Sequence, residues 1–453
     1  MDILENQRAF FASGRTCGYA FRRAALERLK AEIKTHLAVL YEALWADLHK
    51  SAEEACLTEI GITLREIDDQ IGHLRRRMRP RRVGTPLFLQ PSRSRIVCEP
   101  FGCVLILAPW NYPIQLTLAP LAGAVAAGNC AVLKPSPYTP NVSAVIRQIV
   151  ESAFPPDHVA VVEGHREVNE ALLAERWDYI FFTGSPELGR TVMRAAAEHL
   201  TPVTLELGGK SPCIVDNSAD ADIAARRIVW GKFLNAGQTC IAPDYLLVHQ
   251  NIKAPLLERI KCHIRAFYGP DPKESPHYGR LVNDKAFERV ASYLGNGIIL
   301  AGGETDPEQR YIAPTLLDLG RPTDGVPVMQ AEIFGPILPV MEFVHLDEAV
   351  EFVNRHEKPL AFYYFGSPAT GRDILRRTSS GGACINDTVL HIANDRLPFG
   401  GVGQSGTGKY HGAESFRTFS NRKAVLLSAR SLDIPLKYPP YRHFGWIKKL
   451  LTF

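Results

Sequence analysis

Cys240 stands in Asn235-Ala-Gly-Gln-Thr-Cys-Ile-Ala-Pro243, a loop of small and polar residues between a helical stretch and an apolar strand. A thiolate there would be open to a substrate, which makes it the best nucleophile candidate among nine cysteines. Taken alone, it could equally be an inert buried hydrophobe. Glu206, in Thr204-Leu-Glu-Leu-Gly-Gly-Lys-Ser-Pro212, ends an apolar run just before a glycine pair. Held out of water, a carboxylate there would have a raised pKa and could serve as a base near neutral pH. A strand-end glutamate facing solvent is the simpler reading of that residue by itself. Asn111, in Pro109-Trp-Asn-Tyr-Pro113, follows another apolar strand and is placed to donate to an oxyanion. An Asx-type turn explains the same asparagine without chemistry. In Tyr179-Ile-Phe-Phe-Thr-Gly-Ser-Pro-Glu-Leu-Gly189 an apolar strand runs into a glycine turn, with a helix expected from about Arg190. Such a junction suits a pyrophosphate, although the usual Gly-x-Gly-x-x-Gly spacing is absent.

The elements that must carry these residues alternate. Strands are expected at Val104–Leu107, Ala131–Leu133, Val159–Val162, Tyr179–Phe182 and Val203–Leu205, then at Cys213–Val215 and Tyr245–Val248. Helices are expected between them, such as Leu116–Ala127, Val142–Ala153 and Glu167–Ala174, and later Ala221–Leu234 and Ala254–Phe267. Alternation of this kind implies an α/β fold with mainly parallel sheets covered on both faces. Before it, Leu26, Leu29, Ile33, Leu37, Leu40, Leu44 and Leu48 form one apolar helical stripe. Arg75, Arg76, Arg77, Arg79, Arg81 and Arg82 follow, read as a solvated helix end rather than a phosphate contact. Residues 83–97 read as two short extended pieces outside the core.

Composition narrows the function. The 453 residues carry 52 basic and 48 acidic side chains, a formal charge of +4, too even for a general nucleic-acid binder. The scattered cysteines, with no Cys-x-x-Cys pair, argue against a disulfide framework or a metal site and for a reducing, cytoplasmic setting. The N-terminus is acidic and lacks a secretory h-region. No Lys, Arg, Asp or Glu lies between Glu99 and Lys134, but prolines and glycines break that stretch into buried α/β pieces rather than a membrane span. Residues 437–453 are basic and aromatic, and a weak contact with an anionic membrane surface is the minority expectation beside packing on a neighbouring domain or subunit.

Together and in order, these pieces resemble the aldehyde dehydrogenase superfamily. The likeness rests on the stretches at 109–113, 182–185, 205–212 and 237–240, with Lys-Pro-Ser at 134–136, Glu-Ile-Phe-Gly-Pro at 332–336 and Pro-Phe-Gly-Gly-Val-Gly-Gln-Ser-Gly at 398–406. It runs to about Lys423. Ala-Pro-Asp-Tyr after Cys240 and Tyr410-His-Gly are most similar to the class 3 branch.

The resemblance implies a Rossmann-type cofactor domain (1–82 and 102–205), a catalytic domain (206–400), and an arm with tail (83–101 and 401–453). It implies NAD or NADP as cofactor, a medium-chain, fatty or aromatic aldehyde as substrate, and a homodimer. Cys240 would be the catalytic thiol, Glu206 the base, and Asn111 the oxyanion amide working with the Cys240 N–H. Lys134 would lie near the adenosine ribose, Gly184, Ser185 and Gly189 at the pyrophosphate, and Trp110, Glu332 and Phe334 around the nicotinamide end. Glu332 is also a contender for the base. Many relatives carry Glu where this chain has Pro137, which removes a carboxylate that would repel a 2′-phosphate. Alternatives are a CoA-acylating enzyme, whose relatives often lack the Glu206 equivalent, a cysteine hydrolase using His391 or His411, and a silent structural protein on the same fold.

Overall fold

The computed structural model describes residues 2–433, 437–441 and 444–451. Two largely parallel sheets dominate it. The first runs in the order Val203–Glu206, Tyr179–Thr183, Cys103–Leu107, Cys130–Lys134, Val159–Val161, all parallel, with Gly406–Thr407 adding an antiparallel edge beside Val203–Glu206. That edge comes from the stretch expected to belong to the arm and tail. The chain starts this sheet in the middle, at Cys103–Leu107, winds outward to one side, then returns to the other. The order therefore reverses between Cys103–Leu107 and Tyr179–Thr183, and a crevice opens outside the carboxyl ends of those two strands. The loops that leave there carry Asn111 and Gly184.

Every residue of Cys103–Leu107, Cys130–Lys134 and Tyr179–Thr183 is buried. Covered on both faces, such strands need apolar residues at consecutive positions, which is why they read as unbroken runs. Helix Pro113–Ala127 is likewise buried along its whole length and ends at Gly128 in the left-handed conformation (φ 96°). Its charge-free sequence reflects burial within an α/β layer. Among the described residues no helix is long and apolar enough to cross a membrane.

The second sheet, in the order Ile298–Ala301, Thr315–Gly320, Ile337–Phe343, Tyr245–His249, Pro212–Val215, Ala361–Phe365, Gly382–Ile385, is parallel except for Ile298–Ala301. A third, antiparallel sheet joins Arg81–Val83, Arg93–Pro100 and Ser420–Leu427.

The leucine stripe is carried by two helices, Tyr19–Thr35 and Leu37–Leu48, which meet at His36. One local expectation is corrected. The helix expected from about Arg190 begins at Pro186, capped by Ser185, whose hydroxyl accepts from the Leu188 N–H. Proline at the first helical position and serine at the cap are the local reasons. In the tail, Phe444–Leu451 is helical and Trp446 is exposed. Arg442 and Phe453, counted in the basic aromatic tail, lie outside the described residues.

Candidate active site

The Cys240 loop is built from strained backbone. Asn235, Ala236 and Gly237 have φ of 52°, 51° and 75° in succession. Left-handed conformations cost a non-glycine residue energy, so something must hold them. The Asn235 side chain donates to the carbonyls of Asn111 (2.8 Å) and Gln238 (3.2 Å), and its N–H donates to Glu54 (2.8 Å). Gln238 donates to the carbonyls of Asn235 and Arg280 and accepts from the Val282 N–H. Gly237 is obligatory, because a Cβ there would lie 2.3 Å from the Gly335 carbonyl oxygen. The loop is thereby pinned against the Glu332–Pro336 segment, and Cys240 emerges partly exposed.

Asn111 arrives from the other sheet. Its amide donates one hydrogen to the Gln238 carbonyl (3.0 Å) and is buried beside the Cys240 loop. An amide nitrogen carries two hydrogens, so one remains for an oxyanion. Tyr112 ties the same two loops through Thr239 (2.5 Å).

Glu206 is the last residue of its strand and only 3% exposed, so the solvent-facing alternative is excluded. Neither carboxylate oxygen has a hydrogen-bond partner among the described residues. Burial pushes its pKa well above the usual carboxylate range, with Lys409 pulling weakly the other way. Burial also pushes the Cys240 thiol up, helped by Glu332 and Glu206, while the N–H groups of Cys240 and Ile241 favour its thiolate. Glu332 is raised to about 8, first by burial and then by Asp244. Negative charge on Glu332 or Glu206 thus disfavours the Cys240 thiolate.

Two cavities meet at this point. A cleft of about 920 Å³ is lined by Trp110, Asn111, Gly184, Ser185, Glu332 and Phe334. A narrow apolar tunnel of about 90 Å³ is lined by Leu57, Leu116, Trp230, Ile241, Leu390 and Phe399. Cys240 and Glu206 line both.

The cleft has the features a dinucleotide needs. The capped start of helix Pro186–Ala197 presents N–H groups, and Trp110 meets Phe334 edge to face at 5.3 Å. Glu332 fits only because Gly208 has no side chain. Lys210 pairs with Asp244 and donates to the carbonyls of Val328 and Ala331 (2.9 Å each), bracing the loop that carries Glu332.

Two expected cofactor contacts are not among this lining. Gly189 lies buried inside the helix, where a Cβ would stand 2.7 Å from the Leu207 side chain. Glycine there permits close helix–strand packing. Lys134 ends its strand 3% exposed, and burial lowers it to about 8.

Neither candidate histidine serves Cys240. His391 contacts Cys384 at 3.3 Å, and His411 contacts Glu66 at 3.4 Å. A cysteine hydrolase with a histidine partner is therefore not supported. Among the described residues no group of three or more His, Cys, Asp or Glu could hold a metal ion. Sequence reasoning missed Lys409, Glu54, Lys50 and Glu59, the last three from the helical N-terminal region, where nothing in the pattern marks them.

The profile of the aldehyde dehydrogenase family matches residues 3–425. The chain belongs to that family. This aldehyde dehydrogenase is 46% identical to the 4,4'-diaponeurosporen-aldehyde dehydrogenase of Staphylococcus aureus, over 99% of each chain. It is 48% identical to human aldehyde dehydrogenase family 3 member B1, over 97% of this chain and 94% of that one, which supports the class 3-like branch. The solved structure of substrate-bound Staphylococcus aureus AldH superposes with a TM-score of 0.96 at 45% identity, covering 99% of this chain and 98% of that one. The protein is thus an aldehyde-oxidising, NAD(P)-dependent oxidoreductase.

Proposed function

We propose that this enzyme oxidises medium-chain, fatty or aromatic aldehydes to carboxylic acids at Cys240, hydrolysing the acyl-enzyme with Glu206. The observation that carries this is the position of both side chains at the junction of the two cavities. An aldehyde in the apolar tunnel presents its carbonyl to the thiol. The Cys240 thiolate adds to the carbonyl carbon, and the second hydrogen of the Asn111 amide and the Cys240 N–H receive the oxyanion. Trp110, Gly184, Ser185, Glu332 and Phe334 would hold NAD(P), which would supply the hydride acceptor needed for the oxidation of the Cys240 adduct to the thioester. Glu206 then takes a proton from the attacking water, the thiolate leaves, and the acid departs. A carboxylate raised by burial is matched to that task.

Dual use of NAD and NADP is favoured by Pro137, which cannot repel a 2′-phosphate. Exposed Leu426 and Leu427 on the arm sheet, with exposed Leu87 in the turn between two of its strands, support a homodimer. The exposed Trp446 and the lysines at 448 and 449 support weak contact with an anionic membrane surface. Nine unpaired cysteines support a cytoplasmic setting. The decisive experiment follows reduced-cofactor absorbance with a medium-chain aldehyde, with and without CoA. Turnover that releases free acid without CoA is expected. An absolute need for CoA would replace hydrolysis with acyl transfer.

A further inference from the structure

Beneath the Pro109–Pro113 loop lies an ion pair that the proposed mechanism does not use. Lys50 and Glu59 are 2.5 Å apart, and both side chains are fully buried. Such a pair is a poor way to gain stability, because two charges must leave water. Its surroundings show what it does instead.

Lys50 follows helix Leu37–Leu48 through His49, which is left-handed (φ 54°). Glu59 sits on a π-helical turn, Cys56–Ile60, closed by the Gly61 N–H on the Cys56 carbonyl. A Cβ on Gly61 would lie 2.6 Å from that oxygen, so glycine permits the wide turn. Single π turns inside helices recur at functional sites.

The Lys50 ammonium donates to Glu59 and to the Asn111 carbonyl (3.1 Å), and lies 4.2 Å from the centre of the Tyr112 ring. The other Glu59 oxygen accepts from the Ile114 N–H (2.9 Å), in the first turn of helix Pro113–Ala127. The pair therefore grips the chain on both sides of Tyr112, at the carbonyl behind and the N–H ahead. Asn235 donates to that same Asn111 carbonyl, so the grip extends to the Cys240 loop.

We propose that the Lys50–Glu59 pair is the positioning element of the oxyanion hole, fixing the Asn111 backbone so that its side-chain amide is held at one angle beside Cys240. The inference rests on the reading of Cys240 as nucleophile and Asn111 as oxyanion donor. Lys50 and Glu59 touch neither substrate nor cofactor and act only through Asn111.

The test is acylation of Cys240 by 4-nitrophenyl acetate, followed as the first-turnover release of nitrophenolate, which needs the oxyanion donors but no cofactor. The variant Lys50→Met/Glu59→Gln removes both charges of the pair together, and Glu54, a buried carboxylate that Lys50 also favours in its charged form, is left to take up a proton. It should acylate about 10–100-fold more slowly, with cofactor affinity within about twofold of wild type. In an Asn111→Ala background the same pair of substitutions should slow acylation by less than about twofold, since the group they position is gone. Wild-type acylation by the double variant overturns the proposal. So do losses that multiply in the Asn111→Ala background, which would mark a general structural role. Should the double variant not fold, Glu59→Asp retracts the carboxylate while keeping its charge. Slower acylation with unchanged cofactor affinity is then expected, and an unchanged rate overturns the proposal. A wild-type protein that neither oxidises aldehydes nor releases nitrophenolate would instead sink the catalytic reading itself, and the inference with it.

Discussion

Oε2 of Glu332 lies 1.8 Å from where a Cβ on Gly208 would stand. Glycine at 208 is thus what admits the carboxylate to the cleft. Gly208→Ala should displace Glu332 without unfolding the protein, because the clash is with the far end of a flexible side chain. KM for the cofactor should rise about tenfold, or ~1.4 kcal/mol, while stability changes by less than about 1 kcal/mol. Steady-state kinetics with a melting curve checks this, and an unchanged KM would show that Glu332 is not a cofactor contact.

Cys240→Ala should abolish both aldehyde oxidation and hydrolysis of an activated ester. Cofactor affinity should stay nearly intact, since no described contact of the thiol helps to hold the cofactor end of the cleft. Substantial turnover by the purified variant would place the nucleophile elsewhere.

Glu206→Gln keeps the shape but cannot accept a proton. With the base role in deacylation, rapid mixing should show a burst of about one reduced cofactor per site, followed by a stall. Normal steady-state turnover would pass the role to Glu332, whose pKa near 8 also suits a base. Absence of both burst and turnover would put Glu206 in thiol activation.

The cofactor preference turns on Pro137. The ratio of kcat/KM for NAD over NADP should be below about 100, equivalent to ~2.7 kcal/mol. Pro137→Glu should push the ratio toward NAD, and no shift in that variant would mean that other residues read the ribose.

Acid should loosen the joint between helix Gly61–Arg77 and the 410–412 loop. Burial by itself would raise Glu66, but hydrogen bonds from His411, the Gly412 N–H and Ser415 outweigh it and hold its pKa at about 2. A folded-state pKa below the unfolded one gives stability that is present above about pH 4.5 and fades as pH falls toward 2. The full loss is about 3 kcal/mol, of which about 2 kcal/mol falls between pH 7 and pH 3. Urea melts from pH 7 to 3 should show wild type losing its advantage over Glu66→Gln as pH falls, and a constant difference would refute the assignment.

The strands around the crevice were legible in the sequence because strands covered on both faces must be apolar at every position, and that leaves an unbroken run. The order of the motifs was equally legible, and with it the family. The helix start at Pro186 had a written signal, Ser185-Pro186, which the spacing of the glycines obscured. Other features have no sequence signature. Whether Glu206 faces solvent or a cavity depends on Gly400 and Lys409, nearly two hundred residues away along the chain. That Gly189 serves packing depends on where Leu207 lies across the helix. The pairing of Lys50 with Glu59, and of both with the Asn111 loop, joins residues whose side-chain types are ordinary for a solvated helix. Burial and partnership arise from neighbours that only the folded chain brings within hydrogen-bonding distance, so these decisions belong to the tertiary structure.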